Sequence, residues 1–151
     1  MDVLAFGTHP FLAGLTADQC GRLEACSRDV TYREGTYIFR EGDPADRLYL
    51  VRAGCVALEQ YGPAGATIRV ETLAAGDILG LSWLFPSALW TLDARAVDAV
   101  HASVLPAARL RDWMREDQAL GLELLTRLVQ ALHRRLVRVR LQRLDVYKAG
   151  V

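Results

Sequence analysis

A series of short β-rich runs, separated by glycine turns, occupies the chain from Asp29 to about Leu105 and most constrains its fold. The runs combine β-branched, aromatic and aliphatic residues at a spacing of about 8 to 12 residues, which is typical of a β-sandwich or β-barrel. A chain of 151 residues is long enough to enclose the core of one such domain. The runs are DVTYR, TYIFR, RLYLVR, CVALEQY, TIRVETL, LDARAV and AVHASVL.

Helical patterns lie on both sides of this region. Residues 16–27 are expected to form a short helix, because Thr16 and Gln19 have the spacing of a capping box. After Pro106, the run PAARLRDWM predicts a second short helix, with the proline tolerated in its first turn.

A third and much longer helix is expected after Asp117, which can cap it, and continues to about Tyr147. We therefore expect a mainly β fold of the α+β class. Its barrel and N-terminal helix occupy residues 1–116, and its long C-terminal helix occupies residues 117–151 of the same single domain.

The long helix carries an apolar seam whose positions are alternately three and four residues apart, as in a coiled coil. A second apolar strip, formed by Leu120, Leu124 and Leu128, covers only its first turns and is expected to dock on the barrel. The seam then pairs with a second copy, since two-fold dimers are the commonest assembly, or else the whole helix lies on its own barrel. The seam consists of Leu122, Leu125, Val129, Leu132, Leu136, Val139, Arg143 and Val146, with Arg143 as its polar break.

Charge is balanced over the chain, with 18 basic and 18 acidic side chains, so no overall attraction to nucleic acid or membrane follows. The distribution is uneven, however, because from Arg127 onward the only acid among seven basic residues is Asp145. We expect these arginines to form the solvated flank of the coiled coil. Direct DNA binding is not expected, because no helix-turn-helix pair follows Tyr147.

Several classes of protein do not fit the sequence. The N-terminus does not resemble an export signal, and no apolar run approaches the roughly 20 residues of a membrane span, so a cytoplasmic protein is expected. The three cysteines lack metal-ligand spacing and are expected to be packing thiols. The three histidines lie far apart, and no hydrolase, zincin or nucleotide-loop motif is found. We expect no metal, no cofactor and no catalysis. The residues concerned are Cys20, Cys26, Cys55, His9, His101 and His133.

The segment GTYIFREGDPADRLYLVRAGCVAL, residues 35–58, closely resembles the start of a cyclic nucleotide-binding domain of the Crp/Fnr type. LAAGDILG, residues 73–80, is similar to the run before that family's phosphate-binding cassette, and ARAVDAVHASVL resembles its two closing strands. The resemblance implies a double-stranded β-helix, or jelly roll, whose long helix dimerises. Regulators of the family also carry a winged helix-turn-helix domain after that helix, which this sequence does not show.

The cassette itself departs from the family pattern. A cyclic-nucleotide binder resembles GE[LI], followed about nine residues later by R[ST]A, because the ribose hydroxyl needs a carboxylate and the phosphate needs an arginine. Here Gly80 matches, but Leu81 stands at the glutamate position. Trp90 stands at or near the arginine position, and Thr91 stands at the hydroxyl position.

Arg95 cannot replace the missing arginine, since strand alternation turns it away from the interior that Trp90, Leu92, Ala94 and Ala96 face. Two lost hydrogen bonds to charged groups cost about 3–6 kcal/mol, or roughly 10²–10⁴ in the dissociation constant. We therefore predict that the protein does not bind cyclic AMP with useful affinity.

Two occupants of the altered pocket remain open. Trp83, Phe85 and Trp90 can fill the mouth of the barrel as core. Alternatively, an apolar or aromatic ligand lies between Trp83 and Trp90, with Ser82 and Thr91 as polar partners. The candidate pocket residues are Gly80, Leu81, Ser82, Trp83, Trp90 and Thr91, and the candidate dimer residues are Leu125, Val129, Leu132, Leu136 and Val139.

These features predict a homodimeric, non-catalytic regulatory or sensor module that acts through its long helix on an unknown small molecule or protein partner. Two alternatives remain. One is a transcription-related regulator that acts on DNA directly or through a partner, and the other is a true cyclic-nucleotide receptor without its DNA-binding domain.

Overall fold

Two four-stranded antiparallel sheets form the body of the protein, in a computed structural model that describes residues 2–149, with side chains described as far as Leu144. The strand orders are β1-β8-β3-β6 and β2-β7-β4-β5, so strands distant in sequence lie side by side. This arrangement confirms the jelly roll that the sequence resemblance implies. The strands are β1 (Arg28–Tyr32), β2 (Tyr37–Phe39), β3 (Arg47–Ala53), β4 (Cys55–Tyr61), β5 (Thr67–Ala74), β6 (Ile78–Leu79), β7 (Asp93–Ala96) and β8 (Val100–Pro106).

All seven predicted runs form strands, and one strand, β6, was missed. Its two residues are too short to show any alternation, and its position is set by pairing with β3, where Tyr49 lies opposite Leu79 and Leu50 opposite Ile78. The strand β6 leads directly into the predicted cassette at Gly80.

The N-terminal helix α1 spans Ala17–Cys26 and begins with the predicted capping box. The Gln19 backbone N–H donates to Thr16 Oγ1 at 3.1 Å, and the Thr16 N–H donates to Gln19 Oε1 at 3.0 Å. These two bonds satisfy donors that the first helical turn otherwise leaves unpaired.

Two further helices follow the barrel: α2 (Ala107–Glu116) and α3 (Gln118–Ala149). Pro106 precedes α2 as its cap residue, and Asp117 Oδ1 accepts from the Leu120 N–H at 3.1 Å at the start of α3. The two helices approach closely at Gly121, where a Cβ atom would lie 2.5 Å from the Met114 carbonyl oxygen. Only a residue without a side chain fits there.

The core has two layers. One lies between the two sheets and includes Val56, Leu58 and Leu73. The other lies between the first sheet and the helices, and the strip Leu120, Leu124 and Leu128 is buried in it, as predicted. The first turns of α3 are therefore part of the folded body.

The seam on α3 faces away from this body. Leu122, Leu125, Val129, Leu132 and Leu136 are between 40% and 66% exposed, whereas Val139 is half-buried and Arg143 is exposed. The side chain of Val146 lies outside the described residues. The alternative in which the whole helix lies on its own barrel is therefore wrong for the exposed seam residues.

Candidate ligand pocket

An open pocket of about 220 Å³ lies at the end of β6, bounded by the barrel on one side and by α3 on the other. Five of the six predicted pocket residues line it: Gly80, Leu81, Ser82, Trp90 and Thr91. The other lining residues are Phe39, Leu58, Leu79, Leu92, Leu132 and Arg135.

Trp90 forms one wall and is almost fully buried, at 4% exposed. Its ring stacks on Phe39 with centroids 4.1 Å apart and planes 10° from parallel. The backbone holds it in register, because its N–H donates to the Asp43 carbonyl at 2.9 Å and its carbonyl accepts from the Gly42 N–H at 2.9 Å. Trp90, predicted to stand at or near the arginine position of the family pattern, is thus a stacked aromatic wall of the pocket.

The cassette turn is a single 3₁₀ turn over Ser82–Leu84, with Leu81 as the residue before it. Leu81 is half-buried and packs against the core between the first sheet and the helices. At the position predicted for the glutamate of the family pattern, Leu81 therefore presents apolar surface rather than a carboxylate.

Trp83 and Phe85 are not where the sequence placed them. Trp83 is 1% exposed and packs among the helices beside Leu110 and Leu124, away from the pocket, so the prediction that it forms a wall or a plug of the pocket is wrong. Phe85 is 66% exposed and does not line the pocket, so the prediction that it fills the mouth of the barrel is wrong. The physical reason is the 3₁₀ turn, in which successive side chains point about 120° apart, so Ser82 and Trp83 face different sides.

Arg95 faces away from the pocket, as predicted. It makes a bidentate pair with Glu59, with Nε 2.8 Å from Oε1 and Nη2 3.1 Å from Oε2. The hydrogen bonds from Arg95 lower the pKa of Glu59 below its ordinary value. Arg95 is therefore committed to the outer face of its sheet.

Two residues of α3, Leu132 and Arg135, complete the pocket. Arg135 Nη2 donates to the Ile78 carbonyl at 2.9 Å, and its Nε lies 3.0 Å from Oε2 of Glu71, whose side chain is only 2% exposed. Arg138 Nη2 lies 3.6 Å from Glu71 Oε1 and 3.5 Å from Asp77 Oδ1. Burial raises the pKa of Glu71, and the two arginines act in the opposite direction.

The prediction of a solvated arginine flank is therefore wrong for three arginines. Arg135 and Arg138 pair with the barrel, and Arg127 bonds to Glu123 and to the Ala13 carbonyl. Arg135 and Arg138 pair with the barrel because they follow the buried residues Leu128 and Ala131 at helical spacing on the same face of α3. Sequence reasoning stopped this strip at the last leucine and so missed Arg135 as a pocket residue.

Comparison with known proteins identifies the family. Residues 29–117, more than half of the chain, match the cyclic nucleotide-binding domain. This chain belongs to the cyclic nucleotide-binding domain family. It therefore carries a regulatory, ligand-binding type of domain and not a catalytic one.

Three proteins illustrate what this chain is similar to. A crystal structure of a Geobacter metallireducens protein named for cyclic nucleotide binding is 32% identical, with a TM-score of 0.74, and the match covers 83% of this chain and 91% of that one. A CRP-like cAMP-activated global transcriptional regulator of Mycobacterium tuberculosis is 28% identical over 70% of this chain and 47% of the regulator. Glutaminase 1 of Bradyrhizobium diazoefficiens is 40% identical over 48% of this chain and 11% of the glutaminase. The chain thus spans less than half the length of these two curated relatives.

As far as Leu144, where the description of side chains ends, no group of three histidine, cysteine or acidic side chains is placed to hold a metal ion. The three cysteines are free and half-buried. None of the helices over residues 2–149 is both long and apolar enough to cross a membrane.

Proposed function

We propose that this protein is a non-catalytic regulatory module that acts as a homodimer, with the barrel and the long helix working as a single unit in the cytoplasm. In this proposal it does not bind cyclic AMP with useful affinity. Its pocket responds to another small molecule, and α3 transmits the response to a partner.

The residues that line the pocket support the proposal that it does not bind cyclic AMP with useful affinity. Trp90 and Leu81 replace the two charged groups of the family pattern, and no other charged residue than Arg135 lines the pocket within the described chain. The pocket volume of about 220 Å³ also lies below the roughly 300–1,000 Å³ typical of sites for drug-sized ligands. Cyclic AMP therefore lacks, in this pocket, the two charged partners that the family pattern provides.

The position of Leu132 supports the proposal that the pocket and the dimer helix are coupled. This side chain lines the pocket and is also 46% exposed in the middle of the apolar seam. A ligand that moves Leu132 therefore changes the surface on which a second α3 would pack. Coupling of this kind needs only that the ligand bind one arrangement of the helix better than another.

The dimer is tested by two matched substitutions on α3. Leu136 lies in the seam and is 56% exposed, whereas Leu141 lies off the seam and is 55% exposed. In sedimentation velocity at about 10 μM, the wild type and Leu141→Glu should sediment as dimers, and Leu136→Glu should sediment as a monomer, because a carboxylate at a core position of a coiled coil is buried without a partner. A monomeric wild type, or equal behaviour of the two variants, would contradict the proposal.

A transcription-related role is the second candidate, and the similarity to the Mycobacterium tuberculosis regulator favours it. Direct contact with DNA is the weaker form, because Arg127, Arg135 and Arg138 are already engaged within the chain. An electrophoretic mobility-shift assay at about 50 mM salt tests it, since binding through phosphates is strongest at low salt. Retardation of DNA that weakens steeply with added salt would favour direct action over the proposed module.

A further inference from the structure

We propose that the pocket binds a small organic monoanion, an aryl or alkyl carboxylate, whose negative charge pairs with Arg135. This inference rests on the proposed function, because it names the class of ligand for the same pocket. It depends on the chemistry of the pocket wall and on the N–H donors of Arg135 that remain available to a ligand.

The pocket wall has the character of a site for an amphiphilic anion. Apolar side chains such as Phe39, Leu58 and Trp90 form most of it, and Ser82 and Thr91 add two hydroxyl groups. Among the described lining residues the only charged side chain is that of Arg135, and none is acidic. A ligand that buries an apolar body there and has one negative charge matches every part of this wall.

Arg135 is able to take a second anionic partner. Its side chain is 17% exposed, its Nη2 donates to the Ile78 carbonyl, and its Nε faces Glu71. Among residues 2–144, whose side chains the structure describes, no acceptor is hydrogen-bonded to Nη1. Arginine has five N–H donors in a planar fork, so donors remain for a carboxylate in the pocket.

The Glu71 carboxylate keeps one cationic neighbour when Arg135 pairs with a ligand. Arg138 remains 3.6 Å from its other oxygen and also faces Asp77. The charges of Arg135, Arg138, Glu71 and Asp77 are formally balanced without a ligand, so the ligand competes with Glu71 for Arg135. Because Glu71 is on β5 and Arg135 is on α3, the ligand also changes the link between the barrel and the long helix.

The proposal is tested first on the unmodified protein with pairs of nearly isosteric ligands. Benzoate is compared with benzamide, and hexanoate with hexanamide, by isothermal titration calorimetry at pH 7. We expect at least one carboxylate to bind with a dissociation constant below about 1 mM, and its amide to bind at least about tenfold more weakly, the loss expected for one charge-assisted hydrogen bond. No binding of either carboxylate at about 10 mM, or equal binding by acid and amide, would overturn the proposal.

Substitutions then assign the charge to one arginine. Arg135→Gln should weaken carboxylate binding at least about tenfold and leave amide binding unchanged. Arg138→Gln is the matched control, because Arg138 also contacts Glu71 but does not line the pocket. If Arg135→Gln does not fold, the double substitution Glu71→Gln with Arg135→Gln removes the buried charges together. Equal losses for both arginines would contradict the assignment to Arg135.

This test separates the ligand class from the function on which it rests. If no carboxylate binds while the wild type is a dimer and cyclic AMP also fails to bind, only the anionic ligand is rejected. If cyclic AMP itself binds at micromolar concentration, the proposed function is rejected with it.

Discussion

Gly80 and Trp90 are fitted to one another so closely that a Cβ atom on Gly80 would lie 2.7 Å from Cη2 of Trp90. Gly80 has φ of +96°, and the same Cβ atom would lie 3.1 Å from the Arg47 carbonyl oxygen. The ring of Trp90 is also stacked on Phe39, which opposes its displacement. Gly80 and Trp90, which the sequence predicts to stand at the glycine position and at or near the arginine position of the family pattern, thus lie directly against each other in the pocket wall.

Substitution of Gly80 by alanine should therefore cost more than backbone strain alone. We expect Gly80→Ala to lower the free energy of unfolding by about 2 kcal/mol or more, the sum of a left-handed backbone conformation and an overpacked core. Urea denaturation measures this loss. Gly35→Ala is the control, since Gly35 has φ of +83° and nothing lies within 4 Å of its added Cβ. Equal losses for the two variants would show that Trp90 is free to move.

His9 is a buried histidine whose two ring nitrogens are both hydrogen-bonded. The Phe11 N–H donates to Nδ1 at 3.2 Å, so the proton is on Nε2, which donates to the Val51 carbonyl at 3.0 Å. Burial of the ring lowers the pKa of His9 below its ordinary 6.5, although the bond to Val51 acts in the opposite direction. The folded protein therefore holds the neutral ring.

Stability should depend on pH through this group. The unfolded chain binds a proton at His9 near pH 6.5 and the folded chain binds it only at lower pH, so the stabilisation is complete above pH 6.5 and is lost as the pH falls through the folded pKa. Urea unfolding of the wild type and of His9→Gln between pH 8 and pH 5 measures this. The difference in stability between the two proteins should shrink as the pH falls. A difference that stays constant, or grows toward acid pH, would show that the ring is not held neutral.

Much of the fold was predictable because it depends on local patterns. The capping box at Thr16 and the cap at Asp117 each involve residues within one helical turn, so the sequence alone indicates them. The seven predicted strands likewise alternate with glycine turns along the sequence. The strip from Leu120 to Leu128 was recognised in the same way from its helical spacing. The strand β6 was missed, because its two residues carry no pattern and only their pairing with β3 defines them.

The candidate site was harder to predict, since it depends on contacts between distant segments. Five of its positions lie in the stretch that resembles the cassette, but whether they bind a ligand stays a prediction. The orientation of Trp83 is set by a 3₁₀ turn, and the residues of that turn carry no pattern from which it could be predicted. The inward position of Arg135 is stabilised by Glu71, a residue far away in the chain, and an arginine without a known partner is ordinarily expected at the surface.

The most direct test of this account is a calorimetric titration of the folded protein with cyclic AMP. The replacement of the two charged cassette groups by Leu81 and Trp90 predicts no detectable binding up to millimolar ligand. A dissociation constant in the micromolar range would contradict the account, because cyclic AMP would then bind tightly without the two charged groups of the family pattern, and the protein would be a true cyclic-nucleotide receptor.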